Sequence, residues 1–189
     1  MKKIRMAGLA LAAILSMQFS YAQTGMSKET TVEVGGAPMY PSKNIVQNAV
    51  NSKDHTTLVA AVKAAGLVET LQTAGPFTVF APTNAAFEKL PAGTVETLVK
   101  PENKALLTSI LTYHVVAGKL DAKALEAKLK EGKGKTELTT VAGGKLWVMK
   151  KDGKIWFKDE KGGMASVTIA DVYQSNGVIH VIDSVVLPK

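Results

Sequence analysis

Gly75-Pro76-Phe77-Thr78-Val79-Phe80-Ala81-Pro82-Thr83-Asn84-Ala85-Ala86-Phe87 packs a turn, a short strand, a proline stop and a capped helix into thirteen residues. Gly75-Pro76 is a turn signal, and Phe77 to Phe80 is an aromatic and β-branched run that predicts a buried strand. Pro82 cannot donate to a strand ladder, so the strand should end there. Thr83 or Asn84 can then cap a helix whose apolar contacts would be Phe87 and Leu90.

On the N-terminal side the apolar residues recur at helical spacing. Ile45, Val46, Ala49 and Val50 share one face of a short helix. Leu58, Ala61, Val62 and Ala65 share a second, with Asp54 as its expected N-cap and Gly66 as its stop. Leu67, Val68 and Leu71 form a further turn. On the C-terminal side, Val95, Leu98 and Val99 suit a small helix, and Leu106, Leu107, Ile110 and Leu111 a longer one that runs into Tyr113-His114, the expected start of a strand. Asp121 should cap a helix over 122–130.

From Lys135 the pattern changes to β. Residues 145–150 and 154–158 flank Asp152-Gly153, a two-residue hairpin loop, so cross-strand partners should carry numbers summing to 305: Met149 faces Trp156 and Val148 faces Phe157. Residues 165–170 and 178–187 read as further strands, the last apolar at nearly every position and so buried on both faces. Helices gather in the first half and strands in the second, which predicts an α+β fold.

Residues 1–22 carry a basic start (Lys2, Lys3, Arg5), an apolar run too short for a bilayer span, and Ser20-Tyr21-Ala22 with small residues at the recognition positions. They read as a cleaved signal peptide, with residues 23–40 a flexible lead-in and 41–189 the domain. Removing three basic residues lowers the formal charge of +7 to +4, which with export argues against nucleic acid. There is no cysteine, so packing alone holds the fold. A membrane contact would be peripheral, since no anchor is evident.

Thr78-Val79-Phe80-Ala81-Pro82-Thr83-Asn84-Ala85-Ala86-Phe87 resembles the first hallmark segment of fasciclin domains. Tyr113-His114 resembles the middle one, and 176–188, containing Gly177, Ile179, His180, Ile182 and Asp183, the last. All three occur in the family's order across roughly 41–189. The resemblance implies a compact β-sandwich core of about seven strands wrapped by short helices. It also implies a secreted, periplasmic or extracellular non-enzymatic module that adheres to surface or matrix proteins or glycans. The hallmark residues are expected to be structural, and no cofactor is implied. An alternative role is carriage of a small apolar ligand between sheet and helices.

Residues with catalytic potential are few. His114 and His180 should satisfy buried backbone groups, and His55 should be exposed. His180 and Ser184 would lie roughly 13 Å apart along one strand, too far for a triad with Asp183. Three dispersed histidines give no metal-ligand spacing. The candidate surface site is the hairpin, where Trp147, Lys150, Lys151, Lys154, Trp156 and Lys158 interleave. Such a set could stack on sugars and pair with acidic groups. The commoner arrangement, expected here, packs both tryptophans inward while lysines guard an edge strand.

Overall fold

The computed structural model describes residues 30–189, so the signal-peptide reading lies outside the described residues. Among the described residues, seven of nine strands form one sheet in the order β4-β3-β9-β8-β7-β6-β5. They are β3 (Phe77–Pro82), β4 (Val115–Ala117), β5 (Lys135–Thr139), β6 (Lys145–Lys151), β7 (Lys154–Lys158), β8 (Met164–Gln174) and β9 (Gly177–Ile182). The pair β3–β9 is parallel and the other pairings are antiparallel.

The sheet is nearly closed because β8 bends. Its first residues, Met164 to Ser166, pair with β7, and Val167 to Gln174 pair with β9 through two register shifts. Asp171 sits there with φ +59°, the signature of a bulge that increases twist and redirects the strand. Past β5, Val141 N donates to Val115 O of β4 at 2.7 Å, linking the two sheet edges. The two halves face each other over an inner core of Phe80, Val116, Leu138, Leu146, Val148, Phe157 and Ile182.

A second core lies on the other side of β3 and β9. Val79, Ala81, Ile179 and Val181 meet Ile45 of α1 (Ile45–Ala49), Leu58 and Ala61 of α2 (Thr56–Ala65), and Leu107, Ile110 and Leu111 of α6 (Lys104–Tyr113). The strand β9 is therefore buried at all six positions, as its composition predicts. Three short helices fill the edges: α3 (Val68–Gln72), α4 (Asn84–Glu88) and α5 (Thr94–Leu98). The remaining helix, α7 (Ala122–Glu131), is capped by Asp121 as expected and lays Leu125 and Leu129 on the inner core. The α+β architecture and the hairpin register, including Met149 opposite Trp156, match expectation.

Several expectations are corrected. Residues 32–39, read as part of a flexible lead-in, form a hairpin of β1 (Val32–Val34) and β2 (Ala37–Met39) that buries Val34, Ala37 and Met39. Gly35 and Gly36, at φ +60° and +73°, make its tight turn. Asp54 does not cap α2. The chain first makes a 3-10 turn, Lys53–His55, and the cap comes from elsewhere in the chain, as described below. His55, expected at the surface, is 3% exposed with Nδ1 bonded to Ser52 Oγ. Tyr113 ends a helix rather than starting a strand, and β9 stops at Ile182, so 183–189 is a tail and not a strand end.

Candidate functional site

The hallmark residues stitch backbone segments together. Thr78 Oγ1 donates to Gly118 O at 2.7 Å and accepts from Leu120 N at 2.8 Å. Thr83 caps α4, whereas Asn84 caps a different helix: its Oδ1 accepts from Thr57 N and Thr56 Oγ1, and its Nδ2 donates to Lys53 O. Gly177 lets β9 approach β3, since a Cβ there would lie 2.0 Å from Phe77 O. Val79, Ala81 and Ile179 enter the helix-side core with Phe87, while Phe80 and Ile182 enter the inner one; Pro82 is the last residue of β3.

Tyr113 is fully buried, donates from its hydroxyl to Lys145 O at 2.6 Å and accepts from Glu160 N. Burial pushes its pKa up to about 12. His114 Nε2 accepts from Val186 N at 3.2 Å, so the proton sits on Nδ1, which donates to Ile110 O at 2.8 Å. Burial pulls its pKa down to about 4 against the opposing pull of the Ile110 carbonyl. His180 is the other tautomer: Nδ1 accepts from Asp171 N and Nε2 donates to Leu120 O at 2.7 Å. Its pKa is also lowered, again by burial.

The three residues considered for a triad go to separate partners. Both Asp183 carboxylate oxygens accept from Ser166, at 2.8 Å from N and 2.7 Å from Oγ. Partial burial opposes ionisation of Asp183, but these bonds and Lys89 outweigh it and lower its pKa. Ser184 Oγ accepts from Lys89 Nζ, and His180 faces Leu120. Among the described residues no group of three or more acidic, His or Cys side chains is placed to hold a metal.

The hairpin face differs from expectation. In β6 and β7 the inward residues are Leu146, Val148, Ile155 and Phe157, so alternation sends Trp147, Met149 and Trp156 to the opposite face. None of these three packs against either core. The register lays out two rows across four strands: Lys135–Met149–Trp156–Ser166 and Glu137–Trp147–Lys158–Met164. Lys151 and Lys154 face each other at the hairpin end. Lys135 Nζ stands 5.7 Å from the Trp147 ring centre and Lys151 Nζ 5.9 Å from that of Trp156.

Lys150 is the exception among the six expected surface residues. It lies on the inward side of β6 and pairs with Glu126 of α7 at 2.7 Å. Lys145 pairs with Glu137, whereas Lys151, Lys154 and Lys158 make no ion pair with the described residues. Lys135 and Met164 complete the face and were not anticipated, because their strands have no turn that fixes register from sequence. Met149 was legible through its pairing with Trp156.

Between helices and sheet lie two apolar cavities of about 80 and 30 Å³ that share Ile45, Ala49, Leu58 and Val79. The larger is also lined by Lys63 and His114. These volumes are far below the roughly 300–1,000 Å³ of ligand pockets.

The fasciclin domain profile matches residues 53–188. The protein sll1483 of Synechocystis is 47% identical over 184 residues, covering 95% of each chain. The cell surface glycolipoprotein MPB83 of Mycobacterium bovis is 37% identical over 122 residues, covering 65% of this chain and 48% of the relative. A solved pair of FAS1 domains from the insect cell adhesion molecule fasciclin I superposes with TM-score 0.68 at 21% identity, covering 78% of this chain and 52% of the other. That likeness carries the fold, and the profile together with the relative matched end to end carries the lineage: the chain belongs to the fasciclin domain family.

Proposed function

We propose that the protein is an exported, non-enzymatic adhesion module that holds a surface or matrix partner on the outer face of β5, β6 and β7. The observation that supports this is the placement of both tryptophans outside the two cores, among lysines that make no ion pair with the described residues. The hallmark side chains are already engaged with backbone groups and offer a partner little. The same engagement of His114 and His180, each bonded only to backbone, favours binding over bond-making. Export follows from the reading of residues 1–22 as a leader, and accords with a relative named for the cell surface.

Carriage of an apolar ligand is supported only by the cavities, whose volume as folded leaves no room for a lipid chain. Binding of purified protein to envelopes of its source cell tests the adhesion reading. Lys154→Ala/Lys158→Ala should weaken binding by about tenfold or more. Lys150→Ala, on the other side of the sheet, should leave it unchanged. Equal binding by all three proteins removes this face from the account.

A further inference from the structure

We propose that this face takes an acidic polysaccharide, a chain of uronate sugars whose rings lie on Trp147 and Trp156 and whose carboxylates meet Lys135, Lys151, Lys154 and Lys158. The inference rests on the adhesion reading and names its ligand class. Charge points to an anion. On the outer face of β5, β6 and β7, Lys135, Lys145, Lys151, Lys154 and Lys158 stand against the single carboxylate of Glu137. Lys151 and Lys154 stand directly opposite each other, an arrangement that costs stability in a free sheet and is relieved by a bound anion.

The mixture of residues separates a glycan from other anions. The two rings lie on a diagonal of adjacent strands, where neighbouring residues are roughly 7–8 Å apart and their Cβ atoms somewhat closer. The electron-rich face of each ring attracts the positive edge of C–H bonds, which sugar rings present in sheets and fatty headgroups do not. A dry protein interface would have to bury ammonium groups that lie between the aromatics, and such cores are depleted of lysine. A membrane-seated face needs a continuous apolar surface to sink into the headgroups, whereas here lysine ammoniums stand over both rings. A hydrated polyanion draws the Lys135 and Lys151 ammoniums off the rings to its carboxylates, leaves them wet and covers the rings in their place.

The chain contains two tryptophans and both are on this face, so intrinsic fluorescence reports on it alone. Alginate, a polyuronate, should change the emission saturably, and the change should vanish in high salt. Neutral dextran and phosphatidylglycerol vesicles should leave it unaltered. Lys154→Glu/Lys158→Glu alters only exposed positions, so the fold should survive, checked by a thermal midpoint no lower than that of the wild type, while the alginate affinity falls by about tenfold or more. No response to alginate, an equal response from the charge-reversed protein, or a stronger response to the vesicles overturns the proposal. If envelope binding depends on Lys154 and Lys158 while alginate has no effect, the ligand class fails and the adhesion face stands. If envelope binding is indifferent to them, the face itself fails.

Discussion

His114 shows how a residue usually recruited for chemistry can be committed to architecture. It is 2% exposed, and its two nitrogens join the end of α6 to the tail that follows β9. A protonated ring could no longer accept from Val186 N, so folding holds the imidazole neutral down to about pH 4. The unfolded chain protonates near the ordinary histidine value, about 6.5. Between those limits the unfolded state binds more protons, and stability must fall as pH falls. A gap of this size is worth about 3 kcal/mol, present in full above pH 6.5 and lost by pH 4. Burial lowers the pKa of His180 and His55 as well, which adds to the same slope. Urea midpoints measured from pH 7.5 to 4.5, above most carboxylate titration, should decline steeply in the wild type. His114→Gln should start lower and decline less; parallel curves for the two proteins would remove His114 as the cause.

At the scale of elements, the hairpin of β6 and β7 has two tasks that oppose each other. Its inner face supplies Leu146, Val148, Ile155 and Phe157 to the inner core, and its outer face carries like charges side by side. Lys151→Glu replaces the repulsion opposite Lys154 by an attraction, and cross-strand pairs of this kind contribute roughly 0.2–1 kcal/mol each. The variant should therefore melt slightly higher than wild type at low salt, lose that gain at high salt, and bind envelopes less well. A melting point below wild type would show that Lys151 is placed for packing over the Trp156 ring and not for a partner. The register of this hairpin was legible because two loop residues determine it. Which way it faced was not, since tryptophan and leucine alternate and either set could have been buried. In the fold the inner space between the sheet halves is filled by Leu146, Val148, Ile155 and Phe157. The hairpin of β1 and β2 was illegible for the opposite reason: three-residue strands are too short for a period to stand out. Asn84 was legible as a cap, but the helix it serves is distant in sequence, 27 residues from Thr57.

For the molecule as a whole, the nearly closed sheet needs something to hold its two halves in place, and the last six residues do so. Past Asp183 the chain buries Val186 at 1% exposure in the inner core, and three side chains, one at the end of α6 and two in the turn after β7, receive its amides. His114 accepts from Val186 N, Asp159 from Leu187 N at 2.9 Å, and Glu160 from Lys189 N at 3.0 Å. Asp159 is itself 2% exposed and also accepts from Gly163 N in the turn between β7 and β8. The tail thus ties the helix-side half, through His114, to the hairpin half, through Asp159 and Glu160. Ending the chain at Asp183 would uncover an apolar site and strand a buried carboxylate oxygen and an imidazole nitrogen without donors. Each loss is worth about 1–3 kcal/mol, so the truncated protein should be less stable by at least about 3 kcal/mol. Val186→Ala, which keeps every amide, should lose a smaller amount, about 1–3 kcal/mol. Urea denaturation of the three proteins separates the contributions. If truncation costs no more than Val186→Ala, the latch is apolar packing alone. If it also lowers the slope of unfolding against denaturant, the halves have come apart before the rest of the fold unfolds, and the tail is what makes the two cores one cooperative unit.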